Sequence, residues 1–166
     1  GKEYIRDMNF ALLYAAENRK RMMEVFKEAF IEVIGPVDFI QEINIHHNYA
    51  NLENHFGKNV WVHRKGATSA KKNQKGIIPG SMGTSSYIVE GLGNVDSFMS
   101  CSHGAGRVLG RKEACRKLKV EDCDKAMEGI VFDRWHLAKS RGKQKGKRLL
   151  DLSESPLAYK NIDTVI

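Results

Sequence analysis

Ser100-Cys101-Ser102-His103-Gly104-Ala105-Gly106-Arg107 carries more of the reading than any other stretch of this chain. The residues before the histidine alternate as a strand does, so His103 stands at a strand end, just ahead of a glycine turn. A histidine held in that way can act as a nucleophile. The glycines let backbone N–H groups come close to a phosphate, and Arg107 offers a cation to neutralise it. Upstream lies a second glycine and hydroxyl cluster, Gly76-Ile77-Ile78-Pro79-Gly80-Ser81-Met82-Gly83-Thr84-Ser85-Ser86-Tyr87, also suited to holding an anion.

Around these runs the pattern is short strands and loops. Ile43-Asn44-Ile45, Asn59 to His63, Ile77-Ile78, Tyr87 to Val89 and Ser97 to Cys101 read as strands. Before them, residues 2–33 read as one long amphipathic helix. Ile5, Met8, Leu12, Ala15, Met22, Phe26 and Phe30 recur near a 3.6 period, and Gly35-Pro36 supplies the stop. That stripe is expected to pack as core. After the motifs, residues 111–129 read as a second helical stretch, interrupted near Val120, with Ala114, Leu118 and Met127 inward. The basic run Lys139 to Arg148 reads as a loop, either solvated or touching RNA phosphates, and Ser155 to Lys160 as an ordered turn. The fold class predicted is α+β: short, mostly antiparallel strands packed with a long N-terminal helix and shorter C-terminal helices. The 166 residues are taken as one domain-sized piece, 1–166.

Composition narrows the partners. A hydrophobic fraction of 42% is enough for a packed core, and the formal net charge of +7 favours a polyanion. Nucleic acid comes first. No apolar run approaches a membrane span, so no membrane partner is expected. No signal-peptide pattern opens the chain, which makes export unexpected. The three cysteines form no C-x-x-C pair, so neither a disulfide framework nor a zinc site is expected. Reduced thiols and a cytoplasmic location fit best. Cys101, beside His103, reads as a small buried hydrophobe rather than a reactive thiolate.

Few residues can carry chemistry. His46 and His47 are adjacent, so on a strand they face opposite ways and one of them can serve a given site. Arg64, Lys65, Lys71, Lys72 and Lys75 surround Gly66-Ala67-Thr68 as a cationic loop able to hold RNA phosphates. It is not a Walker P-loop, because the G-x-x-x-x-G-K-[ST] order is absent. Arg107 and Arg111 are the candidates for phosphate contact near His103.

Four runs in one order, His46-His47-Asn48-Tyr49, Val62 to Thr68, Gly76 to Tyr87 and Ser100 to Arg107, resemble the RtcB family of RNA ligases, the tRNA-splicing ligases. The resemblance covers the chain from Gly1 to Ile166 and is densest from Ile45 to Arg111. It implies that His103 attacks the α-phosphate of GTP and becomes guanylylated. It implies that His47 binds a divalent metal, Mn²⁺ being usual, and that His47-Asn48 contacts the nucleotide. Pro79, Gly80, Ser81, Met82 and Ser86 would form the nucleotide-binding turn. Gly104, Ala105 and Gly106 would flank the modified histidine, and Tyr159 would lie near the guanine base. The reaction implied joins an RNA 3′-phosphate or 2′,3′-cyclic phosphate to a 5′-hydroxyl, in tRNA splicing or RNA repair.

One departure bears on all of this. The family's N-terminal metal motif and further metal-binding histidines have no counterpart here, nor has its terminal Lys-Gly segment. The chain is therefore expected to be a catalytic portion that is incomplete alone, with apolar surface a missing N-terminal half would cover. The alternative is a non-catalytic RNA-binding or interaction fragment.

Overall fold

A computed structural model of the chain describes residues 1–137 and 150–166, so the basic run 139–148 lies outside the described residues. Among the described residues the architecture is α+β: a long N-terminal helix, six short strands in three two-stranded sheets, two short helices and two 3₁₀ turns. The chain divides into two compact units, Gly1–Ile77 with Ile88–Cys101, and Ile78–Tyr87 with Ser102–Ile166.

The first unit opens on helix α1, Lys2–Ile34. Its charges pair along the surface, Arg21 with Glu17 at 2.8 Å and Lys20 with Glu24 at 3.9 Å, both four residues apart. The apolar stripe predicted as core is half-buried at Ile5, Met8, Leu12 and Ala15, but Met22 and Phe26 are mostly exposed. The segment after the helix turns back along it. Lys27 pairs with Glu42 at 2.8 Å, Arg19 donates to Asn44 at 2.7 Å, and Phe30 meets Phe39 at 6.2 Å between ring centres. These side-chain bonds to the helix replace the strand predicted at Ile43–Ile45, which forms no ladder.

Strands β1 (Asn48–His55) and β2 (Lys58–Lys65) form an antiparallel hairpin, with Asn48 opposite Lys65 and His55 opposite Lys58. Phe56 and Gly57 close it with φ of 52° and 74°, the two left-handed residues of a tight hairpin turn. Strand β3 (Ala67–Ser69) pairs with β6 (Ser100–Ser102), and β4 (Lys75–Ile78) pairs with β5 (Tyr87–Glu90). The strand predicted from Ser97 begins only at Ser100. Phe98 and Met99 take φ of 53° and 49° in a turn, with the Met99 amide donating to the Asn94 carbonyl at 2.8 Å.

The buried side chains of this unit are polar: His55, Arg64 and Thr68. Those of the second unit are mainly small and apolar. Ile78, Ala105, Ala114, Cys123, Met127, Leu152, Ala158 and Ile162 form its core, with Ser153 and Ser155 beside them. The helical stretch 111–129 resolves into α2, Arg111–Lys117, and α3, Val120–Ala126, broken where Leu118 turns extended. Ala114 and Met127 are buried as predicted. The tail ends in 3₁₀ turns at Pro156–Ala158 and Ile162–Thr164, capped by the side chains of Ser155 and Asn161.

Candidate functional site

In the second unit, His103 follows directly on β6. Gly104 and Ala105 behind it are buried, and Gly106 takes φ of 70°. The Ala105 amide donates to the carbonyl of Pro79 at 2.9 Å. That bond ties the histidine loop to the glycine and hydroxyl turn. A Cβ added at Gly104 would stand 3.1 Å from the Pro79 carbonyl oxygen and 3.3 Å from its ring, so glycine is what permits the close approach. The Nδ1 atom of His103 is shielded from solvent.

The turn itself is cross-braced by hydroxyls. Gly80 N–H donates to Ser86 Oγ at 3.2 Å, and Ser81 N–H donates to Thr84 Oγ1 at 2.7 Å. The Ser81 and Thr84 hydroxyls lie 3.0 Å apart, and the Thr84 amide returns a bond to the Ser81 carbonyl at 3.2 Å. A Cβ at Gly80 would fall on the Ser85 carbonyl. Met82 stands exposed on the same turn. Thr84, whose hydroxyl accepts from the Ser81 amide, is the residue of this turn that the motif did not single out.

Beyond the histidine, Arg107 anchors the tail. Its Nε donates to the Leu109 carbonyl at 3.0 Å, and Nη1 donates to the Tyr159 hydroxyl at 2.8 Å and to Glu154 at 3.3 Å. Nη2 donates to the Ser153 carbonyl, and the guanidinium lies 4.7 Å from the centre of the Tyr159 ring. The Tyr159 hydroxyl in turn donates to Glu154, and Arg111 reaches the same carboxylate at 3.0 Å. Burial opposes ionisation of Glu154, yet the Tyr159 hydroxyl and the two arginines hold its carboxyl below the usual range. Burial, reinforced by Glu154, raises the Tyr159 hydroxyl. A phosphate at Arg107 would have to displace one of these internal bonds. Glu154, 47 residues from Arg107, gave no signal in sequence.

The first unit holds the other candidates. His47 and Asn48 are exposed at the start of β1, and the His47 carbonyl accepts from Gly66 N–H at 3.1 Å. Lys65 is exposed opposite Asn48. His46 turns instead to Arg19, its Nδ1 3.2 Å from the guanidinium, and burial together with that cation lowers its basicity. Arg64 is not presented to RNA as expected. It is 2% exposed, grips Glu53 at 2.6 and 2.9 Å, and also donates to Ser100 Oγ, the Tyr49 hydroxyl and the Phe98 carbonyl. Alternation along β2 turns Arg64 inward and Lys65 outward, which corrects the joint assignment of both to a phosphate-binding loop. The Arg64 hydrogen bonds bring the Glu53 carboxyl down to about 2.

The family model for the tRNA-splicing ligase RtcB matches residues 1–166, the whole chain. The chain belongs to the RtcB family. Its sequence is 42% identical to the RNA-splicing ligase RtcB of Escherichia coli K12 over 99% of the chain. It is 34% identical to the RNA-splicing ligase RtcB of Mycobacterium tuberculosis over 100% of the chain, and 33% identical to the tRNA-splicing ligase RtcB of Pyrobaculum aerophilum over 99%. It spans 38%, 40% and 37% of the lengths of these RtcB proteins.

Set against the RtcB expectation of bound metal, the described residues hold no group of three or more His, Cys, Asp and Glu side chains able to ligate an ion. His47 alone does not make a metal site. Among the described residues no helix is long and apolar enough to cross a membrane.

Proposed function

We propose that this chain is the part of an RNA ligase that carries the nucleotide on a histidine. A nitrogen of the neutral His103 ring attacks the α-phosphorus of GTP. A P–N bond forms, the bond to the bridging oxygen breaks, and pyrophosphate leaves with the electron pair. An oxygen of an RNA 3′-phosphate then attacks the same phosphorus and the imidazole departs. Finally a 5′-hydroxyl attacks the activated 3′-phosphorus, GMP leaves, and a phosphodiester joins the strands. A 2′,3′-cyclic phosphate is first opened by water.

The observation that carries this reading is the Pro79–Ala105 hydrogen bond, which puts the His103 loop and the hydroxyl turn into one packed unit. The turn, with Gly80, Ser81, Met82 and Ser86, receives the nucleotide. Gly104 and Ala105, buried against Pro79, and Gly106 hold the loop that presents His103 to the nucleotide, and Tyr159 lies against the base. The shielding of Nδ1 from solvent favours attack through Nε2 of His103. By the RtcB resemblance, His47 is one ligand of Mn²⁺ and the His47-Asn48 pair contacts a nucleotide, and both residues are exposed at the start of β1. The RNA substrates are tRNA halves or broken RNA, and the three free thiols suit a cytoplasmic protein.

The test is incubation with GTP labelled at its α-phosphate and Mn²⁺, with the chain alone and complemented by the N-terminal portion of the Escherichia coli relative. Covalent label lost in His103→Ala supports the reading. RNA binding with no label in either form supports a non-catalytic RNA-binding module instead.

A further inference from the structure

The β1–β2 hairpin has two faces, and its register fixes which residues share each one. Tyr49, Glu53 and His55 lie on one face with Arg64. There Glu53, the sole acid of the two strands, is locked to Arg64 and touches His55 Nε2 at 3.0 Å. The other face pairs Leu52 with Trp61 and Asn54 with Asn59, and continues through His63 to Lys65 opposite Asn48. Trp61 is 55% exposed and Leu52 51%, while His63, Lys65 and both asparagines of the Asn54–Asn59 pair are exposed. A slip of one residue would exchange the two faces, and the buried ion pair forbids it.

An open ribbon with an exposed indole, amides, an imidazole and a lysine, and without an acid, has the chemistry of a single-strand nucleic-acid platform. Bases stack on the aromatic surface, amides bond base edges, and cations take the phosphates. The ribbon ends at His47 and Asn48 in the same unit. Resting on the ligase reading above, we infer that the Asn48–Trp61 face of the hairpin binds an unpaired RNA end, Trp61 stacking a base and Lys65 contacting the backbone, and so leads that end towards His47. Single-stranded RNA is favoured over a protein partner because the face surrounds its indole with amides, an imidazole and a lysine and is too polar for a dry interface.

The experiment measures binding of a short fluorescent single-stranded RNA to the full chain by anisotropy, at two salt concentrations, in a Trp135→Phe background. Trp61 emission should quench on binding. Trp61→Ala should weaken binding about tenfold or more, since stacking on one aromatic side chain is typically that strong. Lys65→Gln should lower the salt slope by about one. Leu52→Glu, at an exposed position where folding is not at stake, should weaken binding by placing an acid on the face. Ile88→Ala, exposed on β5, should change nothing. Wild-type affinity in both Trp61→Ala and Leu52→Glu overturns the inference, as does equal affinity for duplex RNA. GTP labelling of His103 is read in parallel in protein complemented by the N-terminal portion of the Escherichia coli relative, and should persist in Trp61→Ala. Its absence from the complemented, unaltered protein counts against the ligase reading, while the anisotropy decides the ribbon.

Discussion

Ala105 donates its amide hydrogen to the carbonyl of Pro79 at 2.9 Å, two residues beyond His103 on one side and one residue before Gly80 on the other. Position 104 is squeezed between them. Gly104→Val puts branched carbon where the Pro79 carbonyl and ring already stand, 3.1 and 3.3 Å from the first added atom. Overpacking of this kind costs about 1–3 kcal/mol. GTP labelling of His103 should drop by at least about tenfold, and urea unfolding should record the stability loss. A Gly104→Val protein that labels normally would separate the loop from the turn.

Arg64 and Glu53 offer a second test. Removing one partner of a buried pair leaves the other uncompensated, at a cost of about 3–5 kcal/mol. Arg64→Met should lower the unfolding free energy by that order. Adding Glu53→Gln should restore part of the loss. The double variant recovering nothing would mean that packing, rather than charge, sets the cost.

The same pair makes stability depend on pH. The folded Glu53 carboxyl titrates at about 2 against an ordinary 4.5, so its stabilisation is full above the unfolded value. It is lost as pH falls from there towards 2, and amounts to about 3 kcal/mol. Denaturant midpoints of wild type and Glu53→Gln should converge across that window. Parallel curves would refute the assignment.

Glu154 and Tyr159 give a spectroscopic prediction. Burial raises the Tyr159 hydroxyl first and Glu154 adds to it. Glu154→Gln should therefore move one phenolate titration to lower pH, read by near-ultraviolet absorbance, and Tyr159→Phe should abolish that difference. An unchanged titration would mean the Tyr159 hydroxyl does not sense Glu154.

Much of this was legible in sequence, and the exceptions have physical causes. The long helix, the strands at Asn59–His63 and Tyr87–Val89, and the break near Val120 follow from periodicity and punctuation. Strand β1 did not, because its inward residues are Tyr49, Glu53 and His55 rather than an apolar series. Its hydropathy pattern is that of a loop. Arg64 misled for the complementary reason: its acidic partner sits eleven residues away and faces it only through the hairpin register. The histidine loop and the hydroxyl turn were visible as motifs, but the bond that joins them runs between backbone atoms, which side-chain identity does not encode. Glu154 became legible only when the tail folded onto Arg107.

The most direct measurement is the intact mass of the chain, complemented by the N-terminal portion of its relative, after exposure to GTP and Mn²⁺, with the modified peptide then sequenced. One added guanylyl group on His103, absent from His103→Ala, is the predicted result. A guanylyl group on a lysine, or none while the complemented protein still joins RNA, would contradict it.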